Sequence, residues 1–395
     1  MRSIILSLLI TFYPILDIAA QSSSPITTIP FKLEGNHLMI TTHINQSKAL
    51  NFVFDTGAGA TVINVQTAAQ LQLKEGKQKT SDGAAGKVSS KVIADATLQI
   101  GSVSLRKVDL ESAPLTHLEK VFGKDIDGLL GYDLLKQYVV KINYDKSVIE
   151  IYNSKKYQYR GSGKLIKIDV GDVPTAKATI SLDGKNTLEG EFILDNGAGS
   201  AMSFCTPYAE KHQLQSTIGK TYKIKSRGYS SNEATVSVGR LKRVEIQQFQ
   251  FSEVPVSIYD TQSGVFSYKG IAGVIGNDLL KRFNITFDYK RKKTYWEPND
   301  RFKDEPFYVD YSGLRLSLDE TKTKVLINNI IPESPSSMSD LKIGDEIIEI
   351  DNIKAADTSL ANLRKLLYQE GKKVEVKYKR GNTLLSTVIQ LKALI

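Results

Sequence analysis

The segment Phe52-Val53-Phe54-Asp55-Thr56-Gly57-Ala58-Gly59 returns later in the chain as Phe192-Ile193-Leu194-Asp195-Asn196-Gly197-Ala198-Gly199. Each copy is an apolar run that delivers an aspartate into a glycine turn. A second shared phrase follows each: Gly128-Leu129-Leu130-Gly131-Tyr132-Asp133-Leu134-Leu135-Lys136, then Gly273-Val274-Ile275-Gly276-Asn277-Asp278-Leu279-Leu280-Lys281. The aspartates lie 140 positions apart, and the glycine phrases keep nearly that spacing. A repeat holding register this well implies two copies of one folding unit. With one carboxylate per copy, the copies are expected to face each other and build a single two-carboxylate site. An isolated Asp-x-Gly is often no more than a hairpin turn. Two copies in matched context argue against that.

Working outward from the turns, short strands dominate. Residues 29–33 and 38–43 read as strands around Glu34-Gly35-Asn36, and 51–54 carries Asp55. Residues 65–73 have helical composition, 81–87 are small and flexible, and 92–100 and 103–110 alternate as strands. The second copy repeats the order: strands 176–182 and 188–194, helix 207–214, flexible 227–232, strands 234–238 and 244–251. A mostly β unit used twice is the expected fold. Residues 154–164, with Gly161-Ser162-Gly163, are the expected joint between lobes. From about residue 305 the pattern changes. Strands are expected at 313–316, 325–330, 374–379 and 385–391. An amphipathic helix is expected at 359–369, with Leu360, Leu363 and Leu367 on one face. About ninety residues make this a full domain.

The 395 residues, 41% hydrophobic and 24% charged, are ordinary for a soluble chain of two to three domains. The net charge of +9 is spread out. Its densest run, Lys290-Arg291-Lys292-Lys293, reads as a solvated hairpin turn, and no aromatic-interleaved basic stripe points to nucleic acid. Residues 1–20 have a positive start, an apolar stretch and then Ala19-Ala20, the layout of a secretory signal peptide; a retained anchor is the alternative. Export, to a bacterial periplasm or beyond the cell, is therefore expected, with no stable membrane span once the segment is removed. The single cysteine, Cys205, can form no internal disulfide and reads as a helix-start or core residue. His37, His43, His117 and His212 lack metal-ligand spacing, and Gly83-Ala84-Ala85-Gly86-Lys87 lacks the phosphate-loop pattern. No metal or cofactor is expected.

Two carboxylates pressed together cannot both ionise, because like charges about 3 Å apart push one pKa strongly upward. Such a pair shares a proton and titrates as a unit. Its ionised member can take a proton from a trapped water while its protonated member polarises a carbonyl. That chemistry cleaves a peptide bond with no metal and no covalent intermediate. It requires tight turns, which Gly57 and Gly197 supply, and Thr56 is placed to brace them across the lobe interface.

These residues resemble the retropepsin-like aspartic peptidases over roughly residues 26–300. Asp55-Thr56-Gly57-Ala58 with Leu129-Leu130-Gly131, and Asp195-Asn196-Gly197-Ala198 with Val274-Ile275-Gly276, are the matching motifs. The resemblance implies lobes at 26–155 and 165–300 in a single-chain acid-protease fold, monomeric for catalysis, with an Asp55/Asp195 dyad acting on protein or peptide substrates. It places flaps at 81–87 and 227–232, with Gly83, Gly86, Gly228 and Tyr229 as flap candidates. One departure stands out: Asn196 replaces the family's Thr or Ser. An amide separates donor and acceptor onto different atoms. It either bridges the lobes or sets them wrongly, and in the second case the protein binds peptides without cutting them well. Residues 305–395 resemble a PDZ domain of the kind appended to exported bacterial proteases. Tyr311-Ser312-Gly313-Leu314 sit where that family's carboxylate-binding loop falls, and Ile343-Gly344-Asp345-Glu346-Ile347-Ile348 match as well. The resemblance implies that peptide C-termini add a strand beside 314–318. The alternative is a PDZ fold that only packs against the lobes.

Overall fold

A computed structural model describes residues 24–307 and 309–395; the expected signal segment lies outside the described residues. The protein is mostly β. Its first half forms an eight-stranded sheet in the order Lys32–Glu34, His37–Ile44, Leu50–Phe54, Gly128–Leu130, Val62–Asn64, Val103–Ala113, Lys87–Ile100, Gln78–Asp82. The second half forms Asp169–Val170, Pro174–Ser181, Thr187–Asp195, Gly273–Gly276, Met202–Phe204, Phe249–Asp260, Ala234–Ile246, Tyr222–Ser226. The two orders correspond strand for strand. Each sheet curls shut through one extra antiparallel pairing, His43↔Gln99 in the first and Ile180↔Val244 in the second.

The repeated phrases explain themselves at the sheet centres. Leu50–Phe54 runs parallel to Gly128–Leu130, which pairs antiparallel with Val62–Asn64 on its other side. Thr187–Asp195, Gly273–Gly276 and Met202–Phe204 repeat this. The glycines that open these phrases are sites of close approach. A methyl group at Gly128 would overlap the Val62 carbonyl and the Phe52 ring, and one at Gly273 would overlap the Ser203 carbonyl. Both halves then contribute to a six-stranded sheet, ordered Thr27–Pro30, Val148–Asn153, Tyr138–Asn143, Phe283–Asp288, Lys293–Pro298, Lys164–Lys167. Its centre is the pairing Val140↔Phe287 and Ile142↔Ile285, where one lobe's backbone is zipped to the other's. Residues buried here, among them Val140, Ile142, Phe283, Ile285 and Trp296, join both lobes into one hydrophobic core.

Most expected elements stand where the sequence put them, and Cys205 is the buried N-cap of the helix Thr206–Lys211. Three readings are corrected. The stretches 234–238 and 244–251 are not two strands. One long strand, Ala234–Ile246, turns at Gln247 (φ 54°) into another, Phe249–Asp260. The segment 81–87, read as small and flexible, carries paired strand at both ends: Gln78–Asp82 and Lys87–Ile100 form a hairpin with its tip at Gly83–Gly86. The helix expected at 207–214 is divided as well: Gln213, with φ 53°, separates Thr206–Lys211 from Leu214–Thr217.

The C-terminal domain has a sheet Leu314–Leu318, Val325–Ile330, Glu346–Ile350, Lys373–Arg380, Thr383–Gln390. The helix Leu360–Lys365 is capped by Ser359 Oγ, which accepts from Asn362 N at 3.2 Å. Leu360, Leu363 and Leu367 enter its core. Asp345 is buried and takes the Arg380 guanidinium in two bonds, 2.9 and 2.8 Å. The connecting segment is pinned to the second lobe. Phe302 and Phe307 pack on the main core, and the Arg282 guanidinium lies 3.8 Å from the Phe307 ring centre.

Gly273→Ala should cost about 3 kcal/mol or more, because the added carbon meets a backbone carbonyl inside the sheet rather than a movable side chain. Urea unfolding would show this as a fall in midpoint. Gly270→Ala, where nothing lies within 4 Å of the new carbon, is the control and should stay close to wild type.

Candidate active site

Asp55 and Asp195 leave the ends of equivalent strands and meet in one cleft between the lobes. Each carboxylate accepts from its own turn. Gly57 N donates to Asp55 Oδ1 at 2.8 Å; Gly197 N and Ala198 N donate to Asp195 Oδ1 at 2.7 and 3.1 Å. Each glycine also faces the opposite carboxyl so closely that a methyl group at Gly57 would overlap Asp195, and one at Gly197 would overlap Asp55. Any side chain at either glycine would drive the pair apart.

Burial pushes the Asp55 carboxyl well above the usual carboxylate range, and the adjacent Asp195 charge and the hydrogen bond between the two add to this. Burial also raises Asp195, while its hydrogen bonds to Asp55 and to the turn amides pull the other way. The environment therefore favours one proton held between two carboxyls.

Thr56 and Asn196 lie beneath the pair, both fully buried. Thr56 Oγ1 donates to Leu194 O at 2.8 Å and accepts from Asn196 N at 3.0 Å. Asn196 Oδ1 accepts from Thr56 N at 2.7 Å, and Asn196 Nδ2 donates to Phe54 O at 3.1 Å. The amide thus performs with two atoms what a hydroxyl performs with one, and the bridge closes in both directions.

The four flap candidates come together above the dyad, crossed between lobes. Ala84, at the first flap's tip, packs on Ile193, Phe266 and Val274 of the second lobe; Tyr229, on the second flap, packs against Val53, Val62 and Val88 of the first. The tips touch: methyl groups at Gly83 and Gly86 would strike Ser230 and Asn232, and one at Gly228 would strike Ala84. Val265 N and Phe266 N also donate to Gly83 O and Ala84 O, at 2.9 and 3.1 Å. His117, which has no catalytic contact, ties the second flap down through Nε2 to Gly228 O at 2.9 Å. The docking segment Gly264–Phe266 and His117 escaped the sequence reading, since neither belongs to the repeated phrases.

The histidines have separate structural partners. His37 stacks on Phe122 with ring centres 3.9 Å apart, and burial lowers its pKa to about 4, so it is neutral. His43 meets Ser47 O at 2.9 Å, and His212 lies on Tyr208. Among the described residues no group of three His, Cys, Asp or Glu side chains is arranged to hold a metal ion. Nor is any helix among them long and apolar enough to cross a membrane.

In the C-terminal loop, Tyr311 N donates to Leu367 O, Ser312 N and Gly313 N to the Asp310 carboxylate, and Leu314 N to Ser312 Oγ. The four residues expected to receive a peptide carboxylate are thus contiguous and orderly, and their N–H groups already have acceptors within the chain.

Comparison with known families agrees with this architecture. Residues 40–134 match the family described as aspartyl protease, and residues 312–391 match the PDZ domain family. No curated protein matches the chain. The chain carries a retropepsin-like aspartyl protease domain followed by a C-terminal PDZ domain.

Asn196→Ala removes the acceptor of Thr56 N and the donor to Phe54 O, both buried. The loss should be about 2–5 kcal/mol, read by denaturant unfolding. Asn196→Thr restores a group able to donate and accept, and should recover most of that stability.

Proposed function

We propose that this protein is an exported aspartic endopeptidase that hydrolyses peptide bonds through a water activated by Asp55 and Asp195, acting as a monomer. The observation that carries the reading is the carboxyl pair itself. Two carboxyls from equivalent turns share a site that favours a single proton, held by glycines that admit no side chain between them. In the reaction, the ionised carboxyl accepts a proton from the attacking water, and the protonated one donates toward the peptide carbonyl oxygen. The crossed flaps would hold the peptide against the pair and exclude bulk water. The PDZ domain supports a peptide or protein as the substrate class. Export rests on the sequence of residues 1–20, and the mature N-terminus found in a periplasmic fraction tests it.

The bridging Asn196 amide weighs against a binding protein with displaced lobes. Turnover of a peptide library, with sensitivity to a statine-type inhibitor, separates the two readings. Asp55→Asn and Asp195→Asn should each abolish cleavage while leaving the fold intact by circular dichroism. Wild-type turnover in either variant would remove the dyad from the mechanism.

The pH dependence follows from the same pair. In related enzymes with a hydroxyl after the glycine, that hydroxyl favours the ionised carboxylate; Ala58 and Ala198 offer none. With the pair's pKa values raised, the shared proton persists to higher pH and is lost only as pH climbs through the upper value. Activity should therefore peak at mildly acidic to near-neutral pH. Ala58→Ser should move the optimum downward. A kcat/KM profile of both proteins decides, and an unmoved optimum would assign the titration to other groups.

A further inference from the structure

The cleft extends beyond the dyad and the flaps. The cavity that contains Asp55 and Asp195, about 1880 Å³, runs past Asn36 and His37 to the C-terminal domain, where Asp310, Arg315, Arg364, Lys365 and Tyr368 line it. His37 stands between the two regions. A methyl group on Gly199, in the Asp195 turn, would lie 3.0 Å from its ring, and the Arg364 charge also bears on it.

The domain is fixed in this place by both lobes. Its linker packs on the second lobe, as described above. The helix Thr116–Phe122 of the first lobe lies against the strand Leu314–Leu318, and Gly123 abuts Leu360 at the start of the domain's helix. Lys322 pairs with Glu119 and Asp125 at 2.6 and 2.8 Å, and Lys120 pairs with Glu320.

Docked this way, the domain has much of its expected strand-addition edge engaged within the chain. Two of the loop amides, Ser312 N and Gly313 N, are spent on Asp310, and those of Tyr311 and Leu314 on Leu367 O and Ser312 Oγ. The edge carbonyl of Leu316 accepts from Arg364 Nη2 at 2.6 Å, and the lobe helix covers the same strand. What the domain turns toward the cleft is positive charge. Arg315 and Lys365 are exposed and form no ion pair among the described residues, and neither does Arg364. Burial first and the neighbouring Arg315 charge after it draw the Arg364 pKa down to about 10 against the opposing pull of Tyr368 and Asp310, so it remains a cation at neutral pH. Two guanidinium groups thus influence one another with a single carboxylate, Asp310, between two charges. Of the other carboxylates that line the cavity near the domain, Asp278 and Glu305 are already bound by Lys281 at 2.8 and 2.6 Å, while Asp145 accepts from Asn284 Nδ2 and Asp300 lies beside Arg301. A second carboxylate would relieve the like-charge contact and gain the planar, two-donor geometry that guanidinium offers.

We infer that the PDZ domain forms the far wall of the substrate cleft, and that Arg315 and Arg364 bind a carboxylate of the peptide lying in it. The inference rests on reading the cleft as a peptide-cleavage site. It makes the domain a specificity element of the cleft rather than a separate receptor. The carboxylate has two sources, an Asp or Glu side chain or the peptide's own C-terminus.

The test uses the full chain and a set of fluorogenic peptides built on one neutral parent. Gln is replaced by Glu at each position in turn, and each peptide is made with a free and with an amidated C-terminus. Wild type should show at least a tenfold gain in kcat/KM for Glu over Gln at a defined position, or for the free over the amidated end. The first outcome assigns a side-chain carboxylate and the second a terminal one. Arg315→Glu, at an exposed position, should invert the preference within its own peptide series, and Arg364→Gln should abolish it. Cleavage of the neutral parent with no charge preference would overturn the inference and leave the protease reading standing. So would a preference unchanged in both variants. Fluorescence anisotropy on Asp55→Asn repeats the comparison as binding. If no peptide is cut yet the Glu or free-ended peptides bind tighter, and Arg315→Glu reverses this, the carboxylate-binding role of the two arginines holds and the protease reading fails.

Discussion

Four hydrogen bonds between the Thr56 and Asn196 turns hold the lobes at the spacing the carboxyl pair requires. They lie in a fully buried layer, where an unmatched donor or acceptor costs about 1–3 kcal/mol, so the lobes cannot slide without leaving several groups unpaired. That rigidity is what keeps two carboxyls together against their own repulsion. Left to itself, such a pair would separate and hydrate. Here Gly57 and Gly197 press from opposite sides, and the bridge below prevents escape.

The rest of the fold serves the same constraint at longer range. The six-stranded sheet zips the lobes through backbone bonds at Val140↔Phe287 and Ile142↔Ile285, far more of a commitment than a side-chain interface. Above the dyad the arrangement crosses over, with each flap tip seated on the other lobe's apolar cluster. Each lobe therefore supplies one carboxyl of the cleft floor and an apolar seat for the other lobe's flap tip. Closing the cleft and aligning the carboxyls are coupled, because both depend on one relative placement of the halves.

The parts legible in the sequence were those repeated with a local chemical reason. The Asp-x-Gly turns, the apolar runs before them and the glycine phrases each report a backbone need that any side chain would violate, and the structure shows that need at Gly128 and Gly273. The C-terminal domain was legible from its change of pattern and its helix from three leucines, although the helix spans Leu360–Lys365 rather than 359–369. The pairing of Gln78–Asp82 with Lys87–Ile100 was hidden, because small residues resemble a loop whether or not they pair. Partnerships across long sequence distances were not legible. Nothing near His117 announces Gly228, nothing near Gly264 announces Gly83, and Asp310 looks like any exposed linker acid until its two amide donors are seen. The Asn196 amide was visible as a departure, but only three-dimensional placement shows its two atoms meeting Thr56 N and Phe54 O.

That amide also bears on how far the halves are interchangeable. In an assembly of two identical chains, symmetry forces the same residue onto both sides of the axis, so a bridging side chain must be its own complement. A hydroxyl satisfies this, since it gives and receives through one oxygen. Joining the halves in one chain lifts the requirement, and a hydroxyl can then face an amide of different reach. Each half becomes specific to its counterpart: paired with a copy of itself, the second lobe would set two amides in a space fitted to one.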